Sequence, residues 1–417
     1  MPPAESDVPG YESATTVRVA GRVLPAAALR TYPERYAHLL AAARAEVGHA
    51  ECLCRPGRPL RLVIRRRVGR LHLAGWPNDG HNHAPSCLWY RADPELSGRA
   101  GYERDGAIDN TNDGIRLRLA VPLTTRTDPA DRTPAHLHAL GEQAVSQRGL
   151  GLLGLVHFLW EPELAVHSSI TRRRWRDCQP ALVDQVAQCS TKGFPLPEVL
   201  HVIPPYRKER PDETAGNRAA WQAFLRQLDT VGPVRRHALV LGELRDIVPA
   251  RFSMRVQFAH LPDAAYASPE LIERVQNSYR VAFTDEHSRN SGRRIALCVI
   301  SRSPKGYLRV DDMAVMPTNF AYIPVDSSYE LTMADALISA GRVFIKPLRY
   351  DPDLMATLPD FVLIDTDPPT YVEVWGVLGR EDYEQRKAEK RDYYRKSGHA
   401  LLEWDVRRPM PDVHRTD

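Results

Sequence analysis

Cysteine and histidine residues cluster near the N-terminus in a spacing that suits a metal ion. Cys52 and Cys54 form a Cys-x-Cys pair, and His83 and Cys87 follow within the group His-x-His-x-x-x-Cys. Three thiolates and one imidazole are a normal tetrahedral ligand set for zinc. We expect Cys52, Cys54, His83 and Cys87 to bind Zn²⁺, with His81 as the alternative to His83. Four side-chain ligands leave no open position, so the zinc is expected to be structural. The alternative is reduced cysteines beside surface histidines.

Two acidic residues in the C-terminal part, Asp360 and Glu373, are candidate ligands for a second metal. Asp360 opens one strand-like run and Glu373 lies in the next, so both carboxylates can point at one place if these strands are neighbours. Oxygen ligands suit hard ions such as Mg²⁺ or Mn²⁺. A metal held in this way can polarise a phosphate and lower the pKa of an attacking water molecule.

A charged segment after these carboxylates can supply the cation that such a site needs near developing negative charge. Tyr383, Lys387, Lys390 and Tyr394 recur at i, i+4, i+7 and i+11, which places them on one face of an α-helix. Taken alone, a segment charged all round is typical of a solvated helix. Beside the two carboxylates, we expect this face to point inward.

The elements that position these residues follow the order helix, three strands, helix, strand. The two helices end at Gly341 and Gly398, as is common for helix C-termini. The predicted elements cover residues 331–340, 342–350, 358–365, 371–376, 381–396 and 399–404.

The zinc ligands are separated by residues 60–76, whose alternating pattern and Gly69 predict a β-hairpin. A hairpin returns the chain to its starting point, so it brings the Cys-x-Cys pair beside the His/Cys group. With a leading helix at about residues 36–47, this pattern predicts a zinc-stapled β-hairpin module over residues 1–112.

The middle of the chain carries no motif that fixes a chemistry. A polar loop over residues 121–134 precedes helical patterns at about 136–160 and 179–191, with a basic turn at residues 172–176 between them. This arrangement is compatible with a winged-helix or helix-turn-helix element that contacts phosphates, but it slightly favours a small helical bundle bearing a solvated loop.

We therefore predict an α/β multidomain chain with a central mixed α/β region. The predicted units are the zinc module at residues 1–112, a helical region at 135–235, a β-rich region at 236–325 and a C-terminal α/β domain at 326–417.

Composition excludes several classes of protein. The 417 residues are 43% hydrophobic and 26% charged, with a formal net charge of +4, as in an ordinary globular protein. No apolar run reaches the ~18 residues that a membrane-spanning helix needs. The first residues lack the regions of a secretory signal. We expect a cytoplasmic protein with no membrane partner, in which Cys178, Cys189 and Cys298 are packing residues.

The C-terminal residues 330–408 resemble the PD-(D/E)XK nuclease superfamily in element order, in Pro359-Asp360 and in the strand that holds Glu373. The third motif of that superfamily would place lysine where Trp375 stands. Some members carry Glu-x-aromatic-Gly with the lysine displaced onto the following helix. The Glu373-Val-Trp-Gly sequence followed by Tyr383, Arg386 and Lys390 resembles that variant.

This resemblance implies a restriction-endonuclease-like αβββαβ core and a set of roles. Asp360 and Glu373 would bind the metal with the backbone carbonyl of Val374. Lys390 would be the relocated catalytic lysine, with Lys387 as second choice. An acidic residue from the first helix, Glu330 or Asp335, is a weaker addition.

The whole chain is also similar to an uncharacterised bacterial family often encoded on mobile elements, and its layout is similar to that of the competence protein CoiA. The leading hypothesis is a metal-dependent nuclease that hydrolyses DNA. Trp375 favours an alternative, a catalytically inactive DNA-binding adaptor of a mobile-element, DNA-processing or defence system. A third hypothesis is a subunit whose zinc module docks a protein partner. The basic clusters 65–67 and 172–174 are candidate DNA contacts or solvated surface.

Overall fold

The computed structural model describes residues 15–67, 70–76, 79–84, 87–90, 102–103, 106–111, 114–126, 149–168, 173–228, 234–289, 292–303, 305–348, 358–376 and 381–414. The described helices are α1 (Ala26–Thr31), α2 (Ala37–Glu46), α3 (Leu152–Trp160), α4 (Trp175–Val186), α5 (Leu196–Val199), α6 (Pro211–Arg226), α7 (Pro269–Ser278), α8 (Asp285–Arg289), α9 (Ser328–Ser339) and α10 (Glu381–Lys396). The described strands are β1 (Thr16–Val19), β2 (Arg22–Pro25), β3 (His49–Cys52), β4 (Leu60–Arg67), β5 (Arg70–Gly75), β6 (Ile108–Thr111), β7 (Gly114–Leu117), β8 (Thr124–Arg126), β9 (Val166–His167), β10 (Cys189–Thr191), β11 (Phe194–Pro195), β12 (Leu200–Val202), β13 (Val234–Arg236), β14 (Ala238–Pro249), β15 (Met254–Phe258), β16 (Ala265–Ala267), β17 (Arg293–Arg302), β18 (Leu308–Thr318), β19 (Phe344–Ile345), β20 (Phe361–Leu363), β21 (Thr370–Trp375) and β22 (Ala400–Asp405). The chain is therefore a mixed α/β protein, as predicted.

The N-terminal unit is a five-stranded antiparallel sheet in the order β2-β1-β3-β4-β5. The predicted hairpin is confirmed as β4–β5, and the predicted leading helix as α2. Alternate residues of β1 and β4 are buried with Leu40 of α2, because a strand points successive side chains to opposite faces. Cys52 ends β3 within this core.

The middle of the chain is built around a closed barrel. Strands β14, β15, β16, β18 and β17 pair in that order, and β17 pairs back with β14. The inner face holds one apolar core, which α6 and α7 also enter. The outer face of β14, β17 and β18 packs against α3 and α4 in a second core. Residues 236–325 are thus β-rich, as predicted.

The basic turn predicted at residues 172–176 differs from the structure. Helix α4 begins at Trp175, whose indole is buried and donates to the carbonyl of Ile203. Arg173 donates to the carbonyls of Leu164 and Val166 at 2.8 and 2.7 Å. Burial lowers the pKa of Arg173. Its guanidinium therefore fixes a turn and is not a solvated phosphate contact, while position 172 lies outside the described residues.

Two other expectations in this region change. The helix predicted at residues 179–191 is α4, which ends at Val186, and residues 189–191 form β10 instead. The chain turns there because Cys189 and Thr191 pair in parallel with β7. Of the helix predicted at 136–160, residues 149–160 are described, and the helix α3 begins only at Leu152.

Strand pairing crosses the domain boundaries expected from the sequence. The β6–β7 hairpin spans the boundary at 112, and β12 pairs with β14 across the boundary at 235. Strand β9 adds to the C-terminal sheet through β19. Among the described helices, none is both long and apolar enough to cross a bilayer.

The C-terminal unit has the element order α9-β19-β20-β21-α10-β22, as predicted. Its sheet runs β22-β21-β20-β19-β9, with β21 and β22 parallel and the other pairs antiparallel. Strands β19 and β20 are shorter than predicted. Val372 and Val374 share a core with α9, whereas Glu373 contacts α10, so the two helices cover opposite faces.

A buried ion pair links the chain that follows α9 to the chain that follows β20 and to the C-terminal segment. Arg342 donates to both oxygens of Asp365 at 2.8 Å and to the carbonyl of Val413. The two side chains are 6% and 10% exposed. Burial alone would raise the pKa of Asp365, but the hydrogen bonds from Arg342 hold it below its usual value.

We expect Arg342→Ala to lower the free energy of unfolding by about 3–5 kcal/mol, because the buried Asp365 carboxylate loses its partner. The matched control is Arg18→Ala, which removes the exposed Arg18–Glu51 pair and costs below about 1 kcal/mol. Urea unfolding followed by tryptophan fluorescence measures both. Equal losses in the two variants would contradict the role of the Arg342 pair.

Candidate functional site

The predicted zinc ligands lie together in the structure. The ligand atoms of Cys52, Cys54, His83 and Cys87 are all within 4.8 Å of one another. Within the part of the chain that the structure describes, this is the only group of three or more Cys, His, Asp or Glu side chains so arranged. Strand β3 ends at Cys52, and the β4–β5 hairpin returns the chain to the His83 segment, as the sequence predicted.

The distances in this cluster fit a tetrahedral ion. The Cys52 and Cys87 sulfurs are 3.5 Å apart, and His83 Nδ1 lies 3.4 Å from the sulfurs of Cys54 and Cys87. Zinc bonds of about 2.3 Å to sulfur and about 2.0 Å to nitrogen give tetrahedral edges of about 3.5–3.8 Å. His83 is buried, whereas His81 is exposed, so the structure selects His83 over its alternative.

The chemistry of the donor set also suits zinc. The hydrogen bond from Cys52 is the largest cause that lowers the pKa of the Cys87 thiol to about 4, with a smaller contribution from His83, while the same bond raises the pKa of Cys52. Thiolates are the form of cysteine that binds metals. The amide of Ala84 also donates to the Cys54 sulfur at 3.4 Å. A metal such as zinc therefore fits this site, and the three remaining cysteines lie buried in other parts of the core.

The second predicted site is centred on Glu373 of β21. Lys390 Nζ donates to both carboxylate oxygens of Glu373 at 2.8 Å, and the Tyr394 hydroxyl donates to Oε1 at 2.6 Å. The third Lys390 hydrogen bond goes to the carbonyl of Leu358 at 2.7 Å. Of the helix face predicted from the spacing of tyrosine and lysine, Lys390 and Tyr394 therefore contact Glu373.

Asp360 lies at the start of β20, beside Glu373. Its Oδ2 accepts a hydrogen bond from the Val374 amide at 2.7 Å, so it is tied to the strand that carries Glu373. No described residue donates to its Oδ1, and the side chain is only partly buried. Burial and the neighbouring Glu373 charge raise the pKa of Asp360 to about 6, against the attraction of Lys346 and Lys390.

A buried lysine near this site, Lys346, was not predicted. It is 3% exposed and donates to Glu330 of α9 at 2.7 Å and to Asp326 at 3.1 Å. Burial alone would lower the pKa of Lys346, but the two carboxylates raise it. The sequence signal was a lone lysine in the apolar run Val343-Phe-Ile-Lys-Pro-Leu, where a charge needs a buried partner.

The structure distinguishes the remaining candidates. Glu330 lies near the site, since Asp360 contributes to its raised pKa of about 7, although burial is the larger cause. Asp335 instead accepts a hydrogen bond from Asn319. Lys387 donates to Asp405 at 3.2 Å, so it serves a different carboxylate from Lys390.

Trp375 fills the position where the superfamily motif has lysine. Its indole is 4% exposed and donates to Glu403 at 2.8 Å. The ammonium groups of Lys387 and Lys390 lie 5.3 and 5.8 Å from its ring centre, within the range of cation–π attraction. Trp375 therefore helps to fix the helix that carries Lys390.

The second site offers carboxylate oxygens, the donors that hard divalent ions prefer. Asp360 Oδ1 is available, and Glu373 becomes available where an ion competes with Lys390 for its oxygens. Burial raises the pKa of Glu373 as well, which means that ionising both carboxylates costs free energy. A cation between them would lower that cost, because an opposite charge favours the ionised form.

Comparisons with known proteins give a family and no activity. The profile of a family described as "Protein of unknown function (DUF1173)" matches residues 27–406. No curated protein matches the chain, and no solved structure matches it.

For the N-terminal cluster, we expect purified protein to contain about one zinc per chain, measured by inductively coupled plasma mass spectrometry. Cys52→Ser and Cys87→Ser should each lose it, because an alcohol does not replace a thiolate ligand. The control is Cys189→Ser, since the Cys189 thiol lies outside the cluster and donates to the Gln185 carbonyl, as a hydroxyl can. Zinc retained in both ligand variants would rule out the assignment.

For the second site, we expect Asp360→Asn to raise stability at pH 8. The pKa of Asp360 rises from 3.8 to about 6 on folding, so its ionisation opposes folding increasingly between these values and fully above about pH 6. From the linkage between protonation and folding, the variant should exceed wild type in free energy of unfolding by up to about 3 kcal/mol at pH 8. This difference should be about half as large at pH 5. Thermal unfolding at the two pH values measures the difference.

The same thermal unfolding experiment, repeated with Mg²⁺, tests whether Asp360 binds the ion. Mg²⁺ should raise the melting temperature of wild type at pH 8, because an ion that binds only the folded state stabilises that state. It should not raise the melting temperature of Asp360→Asn. The matched control is Asp335→Asn, which also removes a carboxylate with a pKa of about 6 but should keep the Mg²⁺ response. An unchanged response in Asp360→Asn would exclude Asp360 as a ligand.

Proposed function

The chain belongs to the DUF1173 family of proteins of unknown function, and we propose that its C-terminal unit is a metal-dependent nuclease that hydrolyses DNA phosphodiester bonds. One observation carries the proposal. Asp360 and Glu373 stand on adjacent strands of an αβββαβ unit, and Lys390 from the following helix donates to Glu373. Acid, acid and lysine in this order are what the resemblance to PD-(D/E)XK nucleases implies.

The proposed roles follow from the contacts. Mg²⁺ or Mn²⁺ bound by Asp360 and Glu373 would polarise a phosphate and lower the pKa of a water molecule. Lys390 has three donors, of which one is held by the Leu358 carbonyl and two face Glu373. A phosphate oxygen or water that reaches Glu373 comes within reach of those two donors. Tyr394 orients Glu373 from the buried side.

Lys346 and Glu330 support the site from the opposite face of the sheet. Lys346 attracts the Asp360 carboxylate and bonds Glu330, so it offsets part of the negative charge that the acids bring together. Without a cation there, burial would favour the protonated form of Asp360, which is the form that does not bind metal. We therefore assign Lys346 a positioning role.

One observation favours a second candidate, a DNA-binding adaptor without catalysis. Both oxygens of Glu373 already accept hydrogen bonds from Lys390, and Oε1 accepts another from Tyr394. A metal must compete with these donors. If the metal does not displace them, the unit would bind DNA and not cut it. A role in processing mobile-element DNA stays a prediction for the nuclease and for the adaptor alike.

Cleavage of plasmid and single-stranded DNA with Mg²⁺ or Mn²⁺ decides between the two. We expect metal-dependent cutting by wild type, and its loss in Asp360→Asn and Glu373→Gln. Lys390→Met should reduce the rate about 10²–10³-fold, as does removal of a donor that stabilises transition-state charge. Lys387→Met should cut at close to the wild-type rate, because Lys387 bonds Asp405.

The control for helix α10 is Lys396→Met, whose side chain is 74% exposed. Loss in Asp360→Asn also shows that a contaminating nuclease is not responsible. DNA binding by wild type with no cutting under either metal would support the adaptor. Full activity in Asp360→Asn and Glu373→Gln would overturn the nuclease assignment.

A further inference from the structure

The barrel of the middle region has the strand connectivity of five-stranded OB-type barrels. Its pairing order β14-β15-β16-β18-β17, closed by β17–β14, makes the third and fifth strands parallel and the other pairs antiparallel. Helix α7 lies between the third and fourth strands. Five-stranded barrels of the OB type bind oligonucleotides on the face of strands two and three and with the loops 1–2 and 4–5.

Strands β15 and β16 present a basic and aromatic outer face in this chain. Arg255 and Tyr266 are direct cross-strand partners, and Tyr266 pairs in turn with Arg309 of β18. The neighbours of Tyr266 along β16, Ala265 and Ala267, are buried inside the barrel, so Tyr266 points outward. The outer face of β14, β17 and β18 is covered by α3 and α4 instead.

The two loops beside this face carry the same residue types. The β14–β15 turn exposes Arg251 and Phe252, and the Phe252 ring is 85% exposed. The β17–β18 turn exposes Lys305 and Tyr307, and Tyr307 is 59% exposed. The Tyr307 ring lies edge-on to Tyr266 with centroids 6.1 Å apart, so the loop joins the strand surface.

Positive charge on this face is largely uncompensated. Arg251, Arg255 and Lys305 have no ion pair with any residue of the described chain. With its amide turned so that the oxygen faces the guanidinium, Gln257 accepts from Arg255 at 3.2 Å, which leaves the charge in place. The nearby Asp311 is already shared by His237 and Arg309.

We propose that Arg251, Phe252, Arg255, Tyr266, Lys305 and Tyr307 form a binding surface for single-stranded DNA. Unpaired bases stack on aromatic rings irrespective of sequence, while a duplex hides its base faces. Arginine and lysine between the rings meet the phosphates. This surface is separate from the carboxylate site and does not depend on the nuclease proposal. It gives the chain a way to hold a strand with or without cleavage.

The test is fluorescence anisotropy of the full-length protein with a labelled twenty-nucleotide oligo-dT, in buffer without Mg²⁺ and without chelator. Tyr307→Ala and Phe252→Ala should each weaken binding about 5- to 150-fold, the range for loss of one stacked base. Arg255→Gln should lower the slope of log K against log salt by about 0.7, the value for one phosphate contact on a single strand.

Matched controls lie on other sheets. Phe194→Ala removes an aromatic side chain that is 55% exposed on β11, and Arg22→Gln removes an exposed arginine of β2. Both should bind like wild type, and duplex DNA should bind more weakly than oligo-dT. Wild type without measurable binding, or surface variants that bind as tightly as the controls, would overturn the proposal. Since no Mg²⁺ or Mn²⁺ is added, a failed cleavage assay leaves this result unaffected.

Discussion

The C-terminal unit places three carboxylates away from water around the start of β20, and the rest of the unit must compensate their charge. Glu330 and Glu373 are buried, and Asp360 is partly buried. Glu330, Asp360 and Glu373 all have raised pKa values, chiefly because protein surrounds them. Such groups remain ionised only with cations beside them. The chain supplies one lysine on each side of the sheet, Lys346 against Glu330 and Lys390 against Glu373. A sheet covered by a helix on both faces is what allows these two lysines to approach the same three acids.

The N-terminal unit also gathers ionisable side chains in its core, and their donor atoms suit zinc. Three thiols and an imidazole lie at hydrogen-bond distance in a small core, where a bound metal would replace the shared protons. The N-terminal unit contacts the remainder of the chain through polar groups, such as Arg30 of α1 with Glu163 and Arg65 of β4 with Gln188. In chain order the barrel lies between these two units, and its exposed aromatic and basic face has no partner within the described chain. Three surfaces with different chemistry thus share one fold.

Features that depend on residues close together in the sequence could be predicted, whereas features that depend on contacts between distant elements could not. The hairpin, the choice of zinc ligands and the face of α10 follow from local spacing, and the structure places those residues as expected. Lys346 was missed because its partner Glu330 lies on another element, and a strand of two residues gives no periodic signal. Arg173 was misinterpreted because a basic run indicates solvent exposure until the carbonyls of Leu164 and Val166 are seen to accept from it. The closed barrel required pairings between strands far apart in sequence, which no local pattern contains.

The central claim is that Asp360 and Glu373 share a divalent ion. Anomalous diffraction from crystals of the wild-type protein soaked in Mn²⁺ tests it most directly. The account predicts a manganese peak bonded to Asp360 and Glu373, with the Lys390 ammonium moved away from at least one Glu373 oxygen. A map with no peak there and with Lys390 still bonded to both oxygens would contradict it.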